Sequence, residues 1–328
     1  MKLQIFICAV ALSASATALP AQTNLFVAAD GSAPFKTVQE AVMSVPSGSR
    51  ANPVVIHIAP GTYREMIYIQ REKGFFRLIG KNPTNTILTF NLYAGITNAE
   101  GQPIGTFKTP STTIDADDFT AENLTFENSA GPVEQALAIR VDGDRAAFRR
   151  CRFSGWQDTI LLNRGRQYFE DCDIAGQTDF IFGAATAWFE NCRIHCLRDG
   201  YITAASTPAD QPFGFVFSNC KIAGEKADVK TYLGRPWRIY ASTVYLSCEM
   251  SGVVRPEGWK DWNKPESHAT ARYAEFDSTG AGASPANRPG WTRQLTKSEA
   301  QKITVKTVLG GADGWDPEIN SELGAKRF

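Results

Sequence analysis

The chain has 328 residues, 43% of them apolar, with 34 basic and 34 acidic side chains. That is enough apolar chain for one large β domain or two ordinary ones. The even charge balance lacks both the basic excess that recruits nucleic acid and an acidic tail, and no segment is long and apolar enough to span a bilayer.

The first elements read as an export signal. Lys2 precedes a mostly apolar run from Leu3 to Leu12, and Ala16 to Ala18 or Leu19 to Ala21 offers a small-residue cleavage site. Residues 1–21 are therefore expected to be removed. Residues 22–328 are expected to form a single domain that is secreted or periplasmic. Next, Thr37 to Glu40 carries a capping-box pattern at the start of an amphipathic stretch, which predicts a short helix able to cover one end of a stack. Thr296 to Glu299 repeats that pattern near the other end, and Gly280 to Pro289 reads as a loop.

Between these ends lies a repeat. Phe148 precedes Cys151, Phe169 precedes Cys172, Phe189 precedes Cys192, Phe217 precedes Cys220 and Tyr245 precedes Cys248, always by three residues. An apolar residue follows each cysteine by two, and the segment around Asn123 and Leu124 is a looser copy. The cysteine spacings of 21, 20, 28 and 28 indicate stacked coils rather than a two-layer domain. Short β-rich segments without long helical stripes predict an all-β fold, a parallel β-helix solenoid with a short N-terminal capping helix. The cysteines would stack inside it. Cys172 and Cys192 would then sit on adjacent coils, where a disulfide and two buried free thiols are both open. Cys192, His195 and Cys196 lack a second ligand cluster at zinc spacing, so a metal site is not expected.

The same frame brings two carboxylates together. Asp158 lies seven residues after Cys151, and Asp179 lies seven after Cys172. Stacked coils would place them on neighbouring rungs, about 4.8 Å apart in strand spacing. Like charges that close cannot both ionise freely, so one should hold a proton, giving an acid and a base from one residue type. Alone, each aspartate would more often be a turn residue capping backbone amides. Gln157 places an amide beside Asp158, and an apolar run follows Asp179.

Five motifs in order resemble the pectin methylesterase (pectinesterase) family. They are Gly61-Thr62-Tyr63-Arg64-Glu65, Gln135 to Arg140, Gly155-Trp156-Gln157-Asp158-Thr159, Asp179-Phe180-Ile181-Phe182-Gly183 and Leu233-Gly234-Arg235-Pro236-Trp237. The resemblance implies a right-handed parallel β-helix and hydrolysis of galacturonate methyl esters in pectin. It implies Asp179 as nucleophile, held by Arg235, and Asp158 as general acid and then base. Gln135 and Gln157 would supply donors to the oxyanion. Trp237, Thr106, Phe182 and Trp156 would contact the sugar chain, together with Gln135 and Arg235. Trp156 stands where the family usually has Tyr, which bears on subsite preference rather than on the reaction. No metal or organic cofactor is implied. The expected partners are methyl-esterified homogalacturonan and water, without nucleic acid or membrane, and a capped solenoid needs no second copy.

Rival chemistries lack their parts. A serine esterase wants a Gly-x-Ser-x-Gly elbow and a histidine base. No elbow is present, and His57, His195 and His268 are the only histidines. A retaining glycosidase would also use two close carboxylates, but the glutamines and Arg235 favour ester chemistry. A non-catalytic carbohydrate-binding solenoid, or an esterase for another acyl ester, remains compatible with the fold.

Overall fold

The computed structural model describes residues 23–318. The expected export signal, residues 1–21, lies outside them. Successive coils each place a strand in one eleven-stranded sheet, which runs from Thr23–Val27 to Arg293–Gln294, and every neighbouring pair in it is parallel. The chain then turns a corner into the second sheet system, also parallel. The expectation of a parallel β-helix with a short N-terminal helix is met.

The repeat becomes a set of ladders. Phe148, Phe169, Phe189, Phe217 and Tyr245 are direct register partners in successive coils. Their rings stack at 4.8, 4.7, 4.5 and 4.6 Å, within 14° of parallel, so one core column is built from identical positions. Three residues on, the cysteines form a second column. The thiols of Cys172, Cys192, Cys220 and Cys248 each donate to the carbonyl of the aromatic residue one coil earlier, at 3.4 to 3.7 Å. All six described cysteines are buried free thiols, which settles the Cys172–Cys192 alternatives. His195 points outward to Glu225, at 2.7 Å, while Cys192 and Cys196 lie inside, so those three do not converge on a metal.

The corner between the two sheets is one residue long. Asn123, Arg150, Asp171, Asn191, Asn219 and Ser247, each just before the column residue, all have φ between 50° and 56°. Asn and Asp tolerate this left-handed conformation best, because their short polar side chains bond locally. The Asn191 side chain also links coils, donating to Oδ1 of Asp171 at the equivalent corner one coil earlier, at 2.5 Å.

Both ends are closed. Helix α1, Val38–Met43, starts on a reciprocal capping box between Thr37 and Glu40. Its first amides also donate to the Glu65 carboxylate, from Val38 at 2.8 Å and from Gln39 at 2.9 Å. The Gly61–Glu65 motif thus anchors the cap, and Val38, Ala41 and Val42 are fully buried over the first coil. The other end differs from expectation. Helix α2, Lys297–Ala300, is capped by Thr296 and Glu299 as the pattern predicts, and a further helix α3, Val305–Leu309, is capped by Thr304 and Thr307. They fold back along the outer face of the eleven-stranded sheet, against Tyr168, Trp188 and Val216, rather than over the final coil. The final coil is sealed by the segment read as a plain loop. Arg288, whose side chain is 2% exposed, makes two hydrogen bonds to Glu275 at 2.8 and 2.9 Å and donates to the carbonyls of Pro256 and Gly282.

That closure predicts a measurable cost. Removing one partner of a buried pair strands the other charge, so Arg288→Met should lower stability by about 3–5 kcal/mol. Urea unfolding should show the loss, and adding Glu275→Leu should recover much of it. A single variant as stable as the parent would mean that the pair does not close the end.

Candidate active site

The site is a product of register. Ile139, Ile160 and Ile181 are strand partners on three successive coils. Asp158 and Asp179 stand two residues before the second and third of these, so the seven-residue offset from the cysteines does translate into matching positions. The backbone confirms the juxtaposition: the Asp158 amide donates to the Thr178 carbonyl at 3.0 Å. Both aspartates adopt positive φ, 64° and 51°. The strand Asp173–Gly183 carries register irregularities between Gly176 and Thr178 and between Thr178 and Ile181. At this bend Phe180 turns fully into the core while Asp179 faces the other side. Gly176 makes the bend possible, since a Cβ there would lie 2.2 Å from that of Phe180.

A cavity of about 230 Å³ opens over the pair. Asp158, Asp179, Gln135, Gln157 and Arg235 line it, and so do Thr106, Phe182 and Trp237. Trp156 does not. It lies in a neighbouring hollow of about 520 Å³ with Gln177 and Glu225, where the Arg198 guanidinium sits 4.7 Å from its ring centroid. The chain turns here rather than running as a strand, with Trp156 in a bend, Gln157 and Asp158 in a turn and Asp158 at φ 64°, so Gln157 and Asp158 meet the cavity while Trp156 faces the neighbouring hollow. Phe107, Ala204 and Trp262 line the cavity without having been expected there. Trp262 comes from a loop that no repeat or motif marks. None of the three histidines contributes: His57 pairs with Asn24, His195 with Glu225 and His268 with Asp261.

The two carboxyls are almost fully buried, 8% exposed for Asp158 and 5% for Asp179, and electrically unlike. Arg235 makes a fork to Asp179, with Nε donating to Oδ1 at 2.9 Å and Nη2 to Oδ2 at 2.6 Å. Burial pushes Asp158 well above the usual carboxylate range, and the charge of Asp179 pushes the same way against the weaker pull of Arg235. Burial also lifts Asp179, but the hydrogen bonds and charge of Arg235 oppose it. The proton shared by such a pair therefore resides on Asp158, leaving Asp179 ionised against its arginine. The arrangement offers an anionic oxygen nucleophile, a neighbouring proton donor and two side-chain amides around one small space.

Those parts, on a β-helix and without a serine–histidine couple, define a carboxylic ester hydrolase. A family model described as Pectinesterase matches residues 24–312. "Pectinesterase 31" of Arabidopsis thaliana is 41% identical over 280 residues, covering 84% of this chain and 88% of that protein. "Pectinesterase 4" of the same plant is 35% identical over 316 residues, 91% of this chain, which spans about half (52%) of that longer protein. Among solved structures, the pectin methylesterase from carrot superposes with a TM-score of 0.83 at 33% identity, covering 95% of this chain and 98% of that one. Pectin methylesterase PemA from Erwinia chrysanthemi gives 0.78 at 32%, covering 90% and 99%. A pectin methylesterase in complex with a hexasaccharide gives the same TM-score and identity. The chain belongs to the pectinesterase family.

The electrostatics make a signed prediction. Asp158 has a folded pKa above its unfolded value, so its protonated form favours folding below the unfolded value, near pH 3.9, and that contribution is lost as pH rises through the folded value. Asp158→Asn, which stays neutral, should be more stable than the parent at pH 8. The advantage should shrink towards zero at pH 4. Urea midpoints for both proteins across this range would show the trend, and a pH-independent difference would contradict it.

Proposed function

We propose that this protein hydrolyses methyl esters of galacturonate units in pectin, releasing methanol, with Asp179 as nucleophile and Asp158 as general acid and base. An ionised carboxylate locked by Arg235 beside a buried, protonated partner carries this reading. In the first half, an Asp179 oxygen attacks the ester carbonyl carbon. Negative charge collects on the carbonyl oxygen, where the Gln135 and Gln157 amides would stabilise it. Collapse breaks the bond to the methoxy oxygen as Asp158 delivers its proton, and methanol leaves. An anhydride joins the acyl group to Asp179. In the second half, Asp158, now ionised, takes a proton from water while the hydroxyl adds to the acyl carbon. The second tetrahedral intermediate expels the Asp179 carboxylate. The galacturonic acid product loses its proton to solvent, and both aspartates are back in their starting states.

Sugar contacts follow from the walls of the cavity. Phe182 and Trp237 pack at 5.9 Å between centroids and present aromatic surface beside the reacting centre, and Thr106 lines the same cavity. Trp156, in the adjoining hollow, would meet a more distant sugar unit rather than the reacting one. The polymer is the only macromolecular partner in this reading, and one chain suffices as the working unit. The export signal in the sequence supports action outside the cytoplasm, with residues 22–328 as one domain. No helix among the described residues is long and apolar enough to cross a membrane.

Asp179→Ala should reduce methanol release from highly methylated pectin by at least about 10³-fold, since no other oxygen nucleophile shares its place. The parent should generate no new reducing ends. Chain cleavage in step with methanol, or a variant near parental activity, would sink the assignment. Arg235→Lys should also turn over at least about tenfold more slowly, because an ammonium cannot hold both carboxylate oxygens in one plane. Equal turnover in that variant would reduce Arg235 to a packing role.

A further inference from the structure

The two bonds from Arg235 to Asp179 run along one edge of the guanidinium. A planar group joined along one edge can still swing about it. Something else must set its plane, and among the described residues Asp179 is the only hydrogen-bond acceptor of the guanidinium. Its faces provide the answer. The guanidinium carbon lies 3.7 Å from the centroid of the Trp262 ring and 3.9 Å from that of Tyr201. Two rings so near one carbon would overlap if they shared a face, so one covers each side.

Each ring is itself supported. Tyr201 is the strand partner of Tyr232 on the next coil, and the two rings stack at 5.3 Å with 12° between their planes. Beyond it, Arg255 sits 5.2 Å from the Tyr232 ring and pairs with Asp199 at 3.3 Å. Trp262 enters from the other side on a loop, at φ 59°, with the Lys264 ammonium 4.8 Å from its ring. Lys264 in turn donates to the Trp237 carbonyl at 3.3 Å, tying this loop to the segment that carries Arg235.

We propose that Tyr201 and Trp262 are positioning residues that clamp the Arg235 guanidinium in the plane of the Asp179 carboxylate. The proposal rests on the reading of Asp179 as the nucleophile. The rings act through Arg235 and not through the sugar. They attract the cation, keep water off both its faces and stop it from hinging away as charge leaves Asp179 during attack. Neither ring supplies a hydrogen bond to the arginine, so the aromatic face is the property that matters and the Tyr201 hydroxyl is dispensable.

The test uses the full chain with Tyr201→Leu, Tyr201→Phe, Trp262→Leu and Trp262→Phe. Two readouts are needed: kcat and KM for methanol release between pH 4 and 9, and water exchange of the Arg235 Nε–H by ¹⁵N NMR. Loss of a desolvated cation–π contact should lower kcat of Tyr201→Leu about tenfold while KM stays within about threefold. The acidic limb of its profile should move to higher pH, because a loosened Arg235 holds Asp179 ionised less well, and Nε–H exchange should quicken. Tyr201→Phe should behave as the parent. Unchanged kcat, acidic limb and exchange in Tyr201→Leu would overturn the clamp, as would a Phe variant as impaired as the Leu variant. Should Tyr201→Leu fail to fold, the Trp262 pair, on a loop outside the coils, decides by the same pH and exchange criteria. A parent that releases no methanol would defeat the functional reading, and the exchange arm would still judge the clamp.

Discussion

Parallel pairing of each coil with the next, in register, is the constraint on which the rest of this molecule depends. It fixes what stands above what. Pairing Phe148 with Phe169, Phe189, Phe217 and Tyr245 turns a sequence repeat into a stacked aromatic column. The same pairing puts thiols over carbonyls one coil back and left-handed corners over left-handed corners. A slip by one residue in such a stack would turn every core side chain outward, so the register is strongly enforced. Asp158 and Asp179 inherit that enforcement. Their closeness requires no local device of its own, because the core columns already hold their coils together.

What register cannot do is make two identical side chains different. That difference comes from the surroundings. Both carboxyls are buried, which alone would raise both and leave the proton ambiguous. Arg235 breaks the symmetry by binding both oxygens of Asp179 and leaving Asp158 to bear the repulsion. Asp158 then holds its proton against the charge next door, which is the condition for donating it to a leaving group. The arginine arrives from the second coil beyond the one that carries Asp179, since Ile181 pairs with Thr203 and Thr203 with Gly234. The chemistry is therefore complete only when the stack is.

The sequence exposed those parts that repeat and hid those that do not. The seven-residue offset of each aspartate from its cysteine was legible because both lie on coils with the same path between corner and strand. The capping boxes at Thr37 and Thr296 were legible because a cap is written within four residues. Where the helix at Thr296 would pack was not, since the apolar residues of Lys297–Ala300 and Val305–Leu309 can meet any exposed apolar face. They meet the one made by Tyr168, Trp188 and Val216. Arg288 was hidden for a related reason. A Gly- and Pro-rich loop gives no sign that one of its cations will be buried against Glu275. The roles assigned to Gln135, Gln157 and Arg235 came from the family resemblance rather than from spacing, and the structure adds that they share one cavity. Trp156 was placed at the sugar chain by the same resemblance, as the aromatic residue standing before Gln157. The turn at 156–158 sends the two side chains to different hollows, and that turn is not written in their adjacency.

The irregular spacings carry the remaining logic. Between Cys172 and Cys192 the two strands, Asp173–Gly183 and Thr186–Glu190, are joined by two residues. Between Cys192 and Cys220 the corresponding connection runs from 206 to 214, and between Cys220 and Cys248 it runs from 235 to 241. That last stretch holds Arg235 and Trp237. The longer excursions before and after supply Thr106, Phe107 and Trp262 to the cavity lining. Loop length costs little once its ends are fixed, because closure entropy grows only with the logarithm of length. Coils can therefore lengthen at one corner without disturbing the ladders. Strands at constant register present the two aspartates, and connections of variable length bring the arginine, the aromatic walls and the sugar-facing surface to them. The uneven repeat is thus what a catalytic solenoid requires: a uniform one would stack as well and enclose no site.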